Sequence, residues 1–225
     1  RFMYSSWKYA GFFLFPYLYL AGFAACGAGI GYGLVRLAGV TGFAAVLLTV
    51  VSTVVVTAGL LYLLGWRWPI NHVFDDWIFS REFVYGKRPR MDARIDQFAE
   101  RILDSIRNAD VDEIVVVGHC LGAALVMDAV ARALKREPEL ARCGPPLCIL
   151  TVGATIPKFS LHSRGERIRQ ATQRVADEPR IRWTEYHARD DAISFYRFDP
   201  VTLKRFSRER SDGRPNVRRV QLHEM

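Results

Sequence analysis

Charged residues are missing from two long stretches near the beginning of this 225-residue chain. No charged side chain occurs in residues 9–35, and none occurs in residues 37–66. Each stretch exceeds the roughly 20 apolar residues that cross a bilayer, and a buried helix of a soluble protein rarely runs so long. The lack of charge therefore predicts a hairpin over 9–66, with transmembrane helices at about 9–35 and 38–65. A cleaved signal peptide does not fit, because its apolar core would be shorter and would not be doubled.

Acidic residues are also missing from the first third of the chain, where the first one is Asp75. Arg1 and Lys8 precede the first apolar stretch, and Arg36 stands alone in the turn that we expect at 33–39. Four basic residues follow the second stretch: Arg67, Arg81, Lys87 and Arg88. Because cytoplasmic flanks carry the excess of Lys and Arg, both ends of the hairpin should face the cytoplasm. We expect a multi-pass protein of a bacterial inner membrane.

Cysteine is scarce, and its spacing gives no metal pattern. The four cysteines are Cys26, Cys120, Cys143 and Cys148. A disulfide between Cys143 and Cys148 stays open as an alternative, but a reducing cytoplasm makes free thiols the default. His72 lies near Asp75 and Asp76, yet no further ligand is close in sequence, so a solvated loop is the better interpretation. We expect no metal and no cofactor.

The charge balance favours a membrane surface over nucleic acid as the partner. The chain has a net charge of +8, and residues 67–225 contain 28 Lys and Arg against 23 Asp and Glu. These basic residues are dispersed among acids, and no nucleic-acid recognition motif accompanies them. A mildly basic domain held at a bilayer should lie against anionic headgroups.

Small residues repeat every four positions in the first apolar stretch. The stripe consists of Ala21, Ala25, Gly29 and Gly33, and Gly27 and Gly31 repeat the spacing one face over. Small residues at this period let helix backbones approach closely. The stripe predicts packing against at least the second helix of the hairpin, and the alternative partner is another subunit in a homo-oligomer.

The remainder divides into an interfacial connector at 67–90, aromatic and mixed in charge, and a cytoplasmic domain at 91–225. Hydrophobic periodicity in the domain predicts helices at 92–108, 123–134 and 164–175 and strands at 114–117, 147–152, 181–187 and 217–222. Alternation of strands and helices is typical of an α/β fold, in which a mostly parallel sheet is flanked by helices.

The central motif occupies residues 113–124, which read EIVVVGHCLGAA. A β-branched run, the box Gly118-His119-Cys120-Leu121-Gly122 and a helix follow one another directly. This arrangement resembles the nucleophile elbow of the α/β-hydrolase superfamily, specifically its lipase and esterase-like members with a Gly-His-Ser-x-Gly box. Cys120 stands where Ser is usual, as it does in dienelactone hydrolases and polyhydroxyalkanoate synthases. We expect both glycines to be required because a side chain two positions from Cys120 would strike a neighbouring element. The alternative is a buried structural Cys in an ordinary turn.

The resemblance also implies an acid and then a histidine, in that order along the chain. Asp191, in the sequence Asp-Ala-Ile after a predicted strand, matches the family acid best; Asp190 is one residue off. The alternative is that Asp191 only caps the turn that follows it. His223 is the one histidine after Asp191, and the Leu121 N–H would be an oxyanion donor. Three other histidines fit less well. His119 directly precedes Cys120 and should point away from it, and His162 comes before Asp191 in the chain, which is the wrong order. His187 could at most support the catalytic residues without taking part in the reaction.

The same resemblance implies strands before the elbow, so we expect early strands before Arg1, further helix after Met225, and a hairpin inserted within the hydrolase domain. The expected function is a membrane-anchored acyl hydrolase of lipase or esterase type, with Cys120, Asp191 and His223 as catalytic residues and acyl lipids or esters as substrates. An acyltransferase that forms a thioester, an inactive hydrolase-fold scaffold and a purely structural membrane protein are the alternatives. An engineered Ser→Cys change also stays open.

Overall fold

The structure is a computed structural model that describes residues 7–65, 70–108, 110–142, 144–191, 193, 195–205 and 216–222. The chain forms two compact units. One is Gly11–Phe79, and the other is built mainly from Ser80–Met225.

The smaller unit contains two long apolar helices, α1 (Trp7–Leu37) and α2 (Gly42–Gly65). Both are long and apolar enough to cross a membrane. Only 17% of the apolar span Leu14–Leu37 in α1 is buried, and none of the span Gly42–Leu64 in α2 is. The helices are therefore not the buried core of this unit. The predicted turn began too early, because α1 continues through Gly33 and the turn occupies residues 38–41.

The two helices pack through the second set of small residues. A Cβ on Gly27 would lie 2.9 Å from the Thr53 carbonyl oxygen, and one on Gly31 would collide with the Ser52 side chain. A Cβ on Gly29 or Gly33, in contrast, would meet no atom of another element within 4 Å among the described residues. The prediction that the main stripe packs on the second helix is therefore wrong. The neighbouring face makes that contact, since glycine at 27 and 31 lets the α2 backbone approach.

A third helix, α3 (Ile70–Val84), occupies most of the region that we expected to be an interfacial connector. His72 is exposed on this helix rather than in a loop. Within the smaller unit, the Trp77 ring lies 5.7 Å from Tyr17 and 5.9 Å from Phe74, measured between ring centroids. Acidic and aromatic residues are mixed along this segment, so its sequence shows no clear helical spacing of apolar residues, although positions such as Val73 are buried.

The larger unit is an α/β fold, as predicted. Its elements in chain order are α4 (Pro89–Asn108), β1 (Ile114–His119), α5 (Leu121–Arg136), β2 (Leu147–Val152), α6 (Ile156–Ser160), α7 (Glu166–Asp177), β3 (Arg182–Ala188) and β4 (Val217–Leu222). The strands form one sheet in the order β1-β2-β3-β4, and every pair is parallel. The observed ends of the predicted elements differ by at most three residues, and β2 and β4 agree at both ends.

Alternate residues of the sheet differ sharply in exposure. Ile149 and Trp183 are fully buried, and the indole N–H of Trp183 donates to the Thr151 hydroxyl at 2.9 Å. Val115 and Val117, whose side chains point to the other face, are 48% and 58% exposed. Parallel sheets are normally covered on both faces. In the described part of this chain, the sheet is covered well on only one.

Ion pairs hold the helices of the covered face together around α5. Arg132 contacts Asp92 at 3.0 Å, Asp96 at 3.1 Å and Asp128 at 3.0 Å. Arg167 of α7 also contacts Asp92, at 2.7 Å. The Asp128 side chain is only 4% exposed, so these cations compensate a buried carboxylate in the helix that follows the elbow.

Candidate active site

Cys120 lies in the turn between β1 and α5, at the carboxyl edge of the parallel sheet. Its backbone has φ 53° and ψ −119°, a conformation that residues other than glycine rarely adopt. Holding a residue in such a conformation costs on the order of 1–3 kcal/mol and is typical of functional sites. A buried structural cysteine in an ordinary turn would not require this strain.

The two glycines of the box have different surroundings. A Cβ on Gly118 would lie 2.7 Å from the Ala123 Cα, 3.0 Å from its nitrogen and 3.1 Å from the Gly122 carbonyl oxygen. These are backbone atoms of the sharp turn, so they cannot move aside cheaply. A Cβ on Gly122 would have no neighbour within 4 Å among the described residues. The expected clash is therefore found at Gly118 and not at Gly122.

Backbone hydrogen bonds fasten the elbow to the turn after β2. The Cys120 N–H donates to the Val152 carbonyl at 3.1 Å, and the Cys120 carbonyl accepts from the N–H groups of Ala123 and Thr155 at 3.2 and 3.3 Å. Leu121 is the first residue of α5. The first N–H groups of a helix have no acceptor within the helix, so the Leu121 N–H has no acceptor within α5.

Asp191 lies at the same edge of the sheet as Cys120. Its Oδ2 is 3.0 Å from the position that a Cβ on Gly153 would occupy. Gly153 has φ 54° and directly follows Val152, whose carbonyl binds the Cys120 N–H. The structure therefore brings the Asp191 carboxylate against the backbone segment that supports the elbow.

The neighbouring carboxylates are distinguished by exposure. Asp190 is exposed, whereas Asp191 is half-buried. The Asp191 Oδ1 also accepts the Ile193 N–H at 2.9 Å. The capping alternative is therefore observed as well. Because it uses the other carboxylate oxygen, it is compatible with a role of Oδ2 at the site.

The three described histidines of the larger unit occupy different settings. His223 lies outside the described residues; it directly follows β4, the strand beside β3. His119 is exposed at the end of β1. His162 packs its ring edge-to-face against Tyr85, and burial together with the Arg81 charge holds its pKa below the usual value. His187 is almost fully buried on β3.

His187 belongs to a chain of buried ionisable groups that the sequence reasoning missed. Its Nε2 lies 3.1 Å from the Glu185 Oε2, without hydrogen-bonding geometry. The same carboxylate lies 3.4 Å from the Arg219 Nε, and the Arg219 Nη2 lies 3.2 Å from the Asp199 Oδ1. Glu185 and His187 alternate in β3, and Glu185 pairs in register with Arg219 on β4. The alternation was readable in the sequence, but the partner strand was not.

The other thiols differ from Cys120. Among the described residues, Cys26, Cys120 and Cys148 are in no disulfide bond, and Cys143 lies outside the described residues. Burial and a 3.4 Å hydrogen bond to the Glu113 carboxylate raise the pKa of Cys148. Cys148 is therefore a poor nucleophile at neutral pH.

The described residues contain no group of three or more His, Cys, Asp or Glu side chains arranged to hold a metal ion. Comparison with known proteins found no family model, no curated protein and no solved structure that matches this chain.

Proposed function

We propose that this protein is a membrane-anchored acyl hydrolase whose nucleophile is Cys120. The conformation of Cys120 carries the proposal, because a strained residue between a parallel strand and a helix presents its side chain at the sheet edge. Gly118 supports it by permitting the close approach of strand and helix. The resemblance to α/β-hydrolases supplies the reaction class.

The proposed reaction begins when a histidine, assigned to His223, takes the Cys120 proton while Asp191 holds its ring in the required tautomer. The thiolate attacks the carbonyl carbon of an acyl ester, and the Leu121 N–H stabilises the oxyanion. The ester C–O bond breaks, and the alcohol leaves with the proton from the histidine. Water then hydrolyses the thioester and regenerates the thiol.

The membrane anchor is the second part of the proposal. It is supported by the length, apolar composition and exposure of α1 and α2. We place both ends of the hairpin in the cytoplasm, because the basic residues concentrate there. A domain tethered to a bilayer has acyl lipids and long-chain esters within reach, so we propose these as the substrate class. Labelling of introduced cysteines at positions 37 and 90 in intact cells tests the topology, and labelling of both from one side would contradict it.

A p-nitrophenyl ester of a long-chain acid tests the chemistry. We expect the ester to leave an acyl adduct on Cys120, which peptide mass would locate and neutral hydroxylamine would remove. The Cys120→Ala variant should form no such adduct. Asp191→Asn should slow turnover strongly while the protein stays folded, and the matched Asp190→Asn should change it little. Adducts on Cys148 instead, or equal mild effects of both Asn variants, would contradict the assignment.

An inactive interaction module is the second candidate, favoured by the exposed apolar face of the sheet around Val115 and Val117. On this alternative, the ester forms no adduct at Cys120. Charged substitutions at the two valines would then weaken association with a partner.

A further inference from the structure

Two arginines share one exposed aromatic ring beyond the end of α3. The guanidinium carbons of Arg81 and Arg164 lie 5.3 and 5.9 Å from the ring centroid of Tyr85. The His162 ring contacts the same ring at a centroid distance of 5.5 Å. Tyr85 is 42% exposed, and both arginines are exposed. We call these four residues the Tyr85 cluster.

The carboxylates nearest in sequence to the two arginines are engaged elsewhere. Glu82, next to Arg81, forms an ion pair with Arg88 at 2.7 Å. Glu166, two residues after Arg164, forms one with Arg169 at 2.6 Å. Within the described part of the chain, no carboxylate forms an ion pair with either arginine of the cluster. The cluster therefore has uncompensated positive charge; burial and, after it, the charge of Arg81 lower the pKa of His162.

We propose that the Tyr85 cluster binds the phosphate of an anionic phospholipid headgroup. Guanidinium groups donate paired hydrogen bonds that match phosphate oxygens, and the phenol hydroxyl of Tyr85 adds another donor. Two arginines held over one ring are already oriented, so less conformational entropy is lost on binding.

The place of Arg81 in the chain favours a lipid over free phosphate as the source. Arg81 is among the first basic residues after the second apolar stretch, which ends at residue 66. Basic residues that closely follow a membrane span are attracted to anionic lipid headgroups. This step rests on the proposal that α1 and α2 span a membrane.

Native mass spectrometry of the full chain in detergent tests the site, with phosphatidylglycerol as the probe and phosphatidylcholine as the neutral reference. The test variant is Arg81→Gln with Arg164→Gln. The matched control is Arg94→Gln with Arg101→Gln, which removes the same charge from exposed positions of α4. Arg94 also lies over an aromatic ring, that of Phe98, at 5.6 Å. We expect the test variant to lose roughly tenfold in phosphatidylglycerol binding and the control less than twofold.

Equal losses in both variants, or no loss in either, would overturn the site. If inorganic phosphate binds the wild type as tightly as phosphatidylglycerol and displaces it, the occupant is a free anion, which overturns the lipid source. An alkaline carbonate wash of membranes tests, independently of lipid binding at the Tyr85 cluster, whether the hairpin spans the membrane. Release of the chain into the supernatant would contradict the membrane span, whatever the lipid measurement shows.

Discussion

Substitution of alanine at each glycine of the box separates two roles that the sequence pattern makes look identical. The Gly118→Ala variant places a methyl carbon 2.7 Å from the Ala123 Cα and within about 3 Å of two further backbone atoms. Overpacking of this kind costs about 1–3 kcal/mol. Because the contacted atoms belong to the backbone of the elbow, we expect the upper half of that range. The Gly122→Ala variant meets open space among the described residues, inside a helix where alanine is favoured over glycine.

The expected shifts are large enough to measure. For a protein of this size, each kcal/mol changes the midpoint of thermal unfolding by about 2–4 °C. Gly118→Ala should therefore unfold about 4–12 °C below the wild type, whereas Gly122→Ala should unfold at the same temperature or about 2–4 °C above it. The fluorescence of tryptophan follows the transition of the full chain in detergent. Trp183, fully buried on β3, should respond to the larger unit.

Ester hydrolysis adds a second measurement on the same variants. Gly118→Ala should also reduce turnover, because the new methyl group pushes the Cys120 turn away from α5. If Gly118→Ala unfolds within 1 °C of the wild type, or if Gly122→Ala is the less stable variant, the close approach of strand and helix described here is wrong.

Three other substitutions have expected results. Cys120→Gly should raise the unfolding temperature by about 2–4 °C while abolishing turnover, because glycine adopts the backbone conformation without strain; destabilisation would contradict the observed φ. Arg132→Met should cost about 2–4 kcal/mol by leaving buried carboxylates short of a cation, whereas Arg142→Met, at a surface pair, should stay within about 0.5 kcal/mol in the same denaturant titration. Glu113→Gln removes a charge that raises the pKa of Cys148, so more thiolate forms at a given pH. Iodoacetamide at pH 7.5 should then label Cys148 roughly twofold faster or more, and an unchanged rate would refute this cause.

The sequence was sufficient where one local signal dominated. The run LCILTV at 147–152 and the run VRRVQL at 217–222 are both short, and both are strands with the predicted ends. The helix α3 was missed because Asp75, Asp76 and several aromatic rings interrupt its apolar period. A solvated loop and a helix with one buried stripe have similar composition in such a segment.

The site was less predictable because it depends on tertiary contacts. The strain at Cys120 follows from the motif, and the approach of Asp191 to Gly153 agrees with its place after β3. The chain of charges from His187 to Asp199 depends instead on the register of β3 and β4. No local pattern announces that register. The difference between Gly118 and Gly122 likewise requires the direction of each Cα–Cβ bond.

The position of β1 affects how the larger unit behaves when it is produced alone. Among the described strands, β1 pairs only with β2, so its other edge presents N–H and C=O groups to the surroundings. The exposed valines on the same strand make this edge an open template for another β-strand. Produced alone, the larger unit should therefore self-associate by edge pairing and give ordered aggregates. Lysine in place of Val115 and Val117 would oppose that pairing by charge repulsion, and it offers a route to a monodisperse fragment for crystallography.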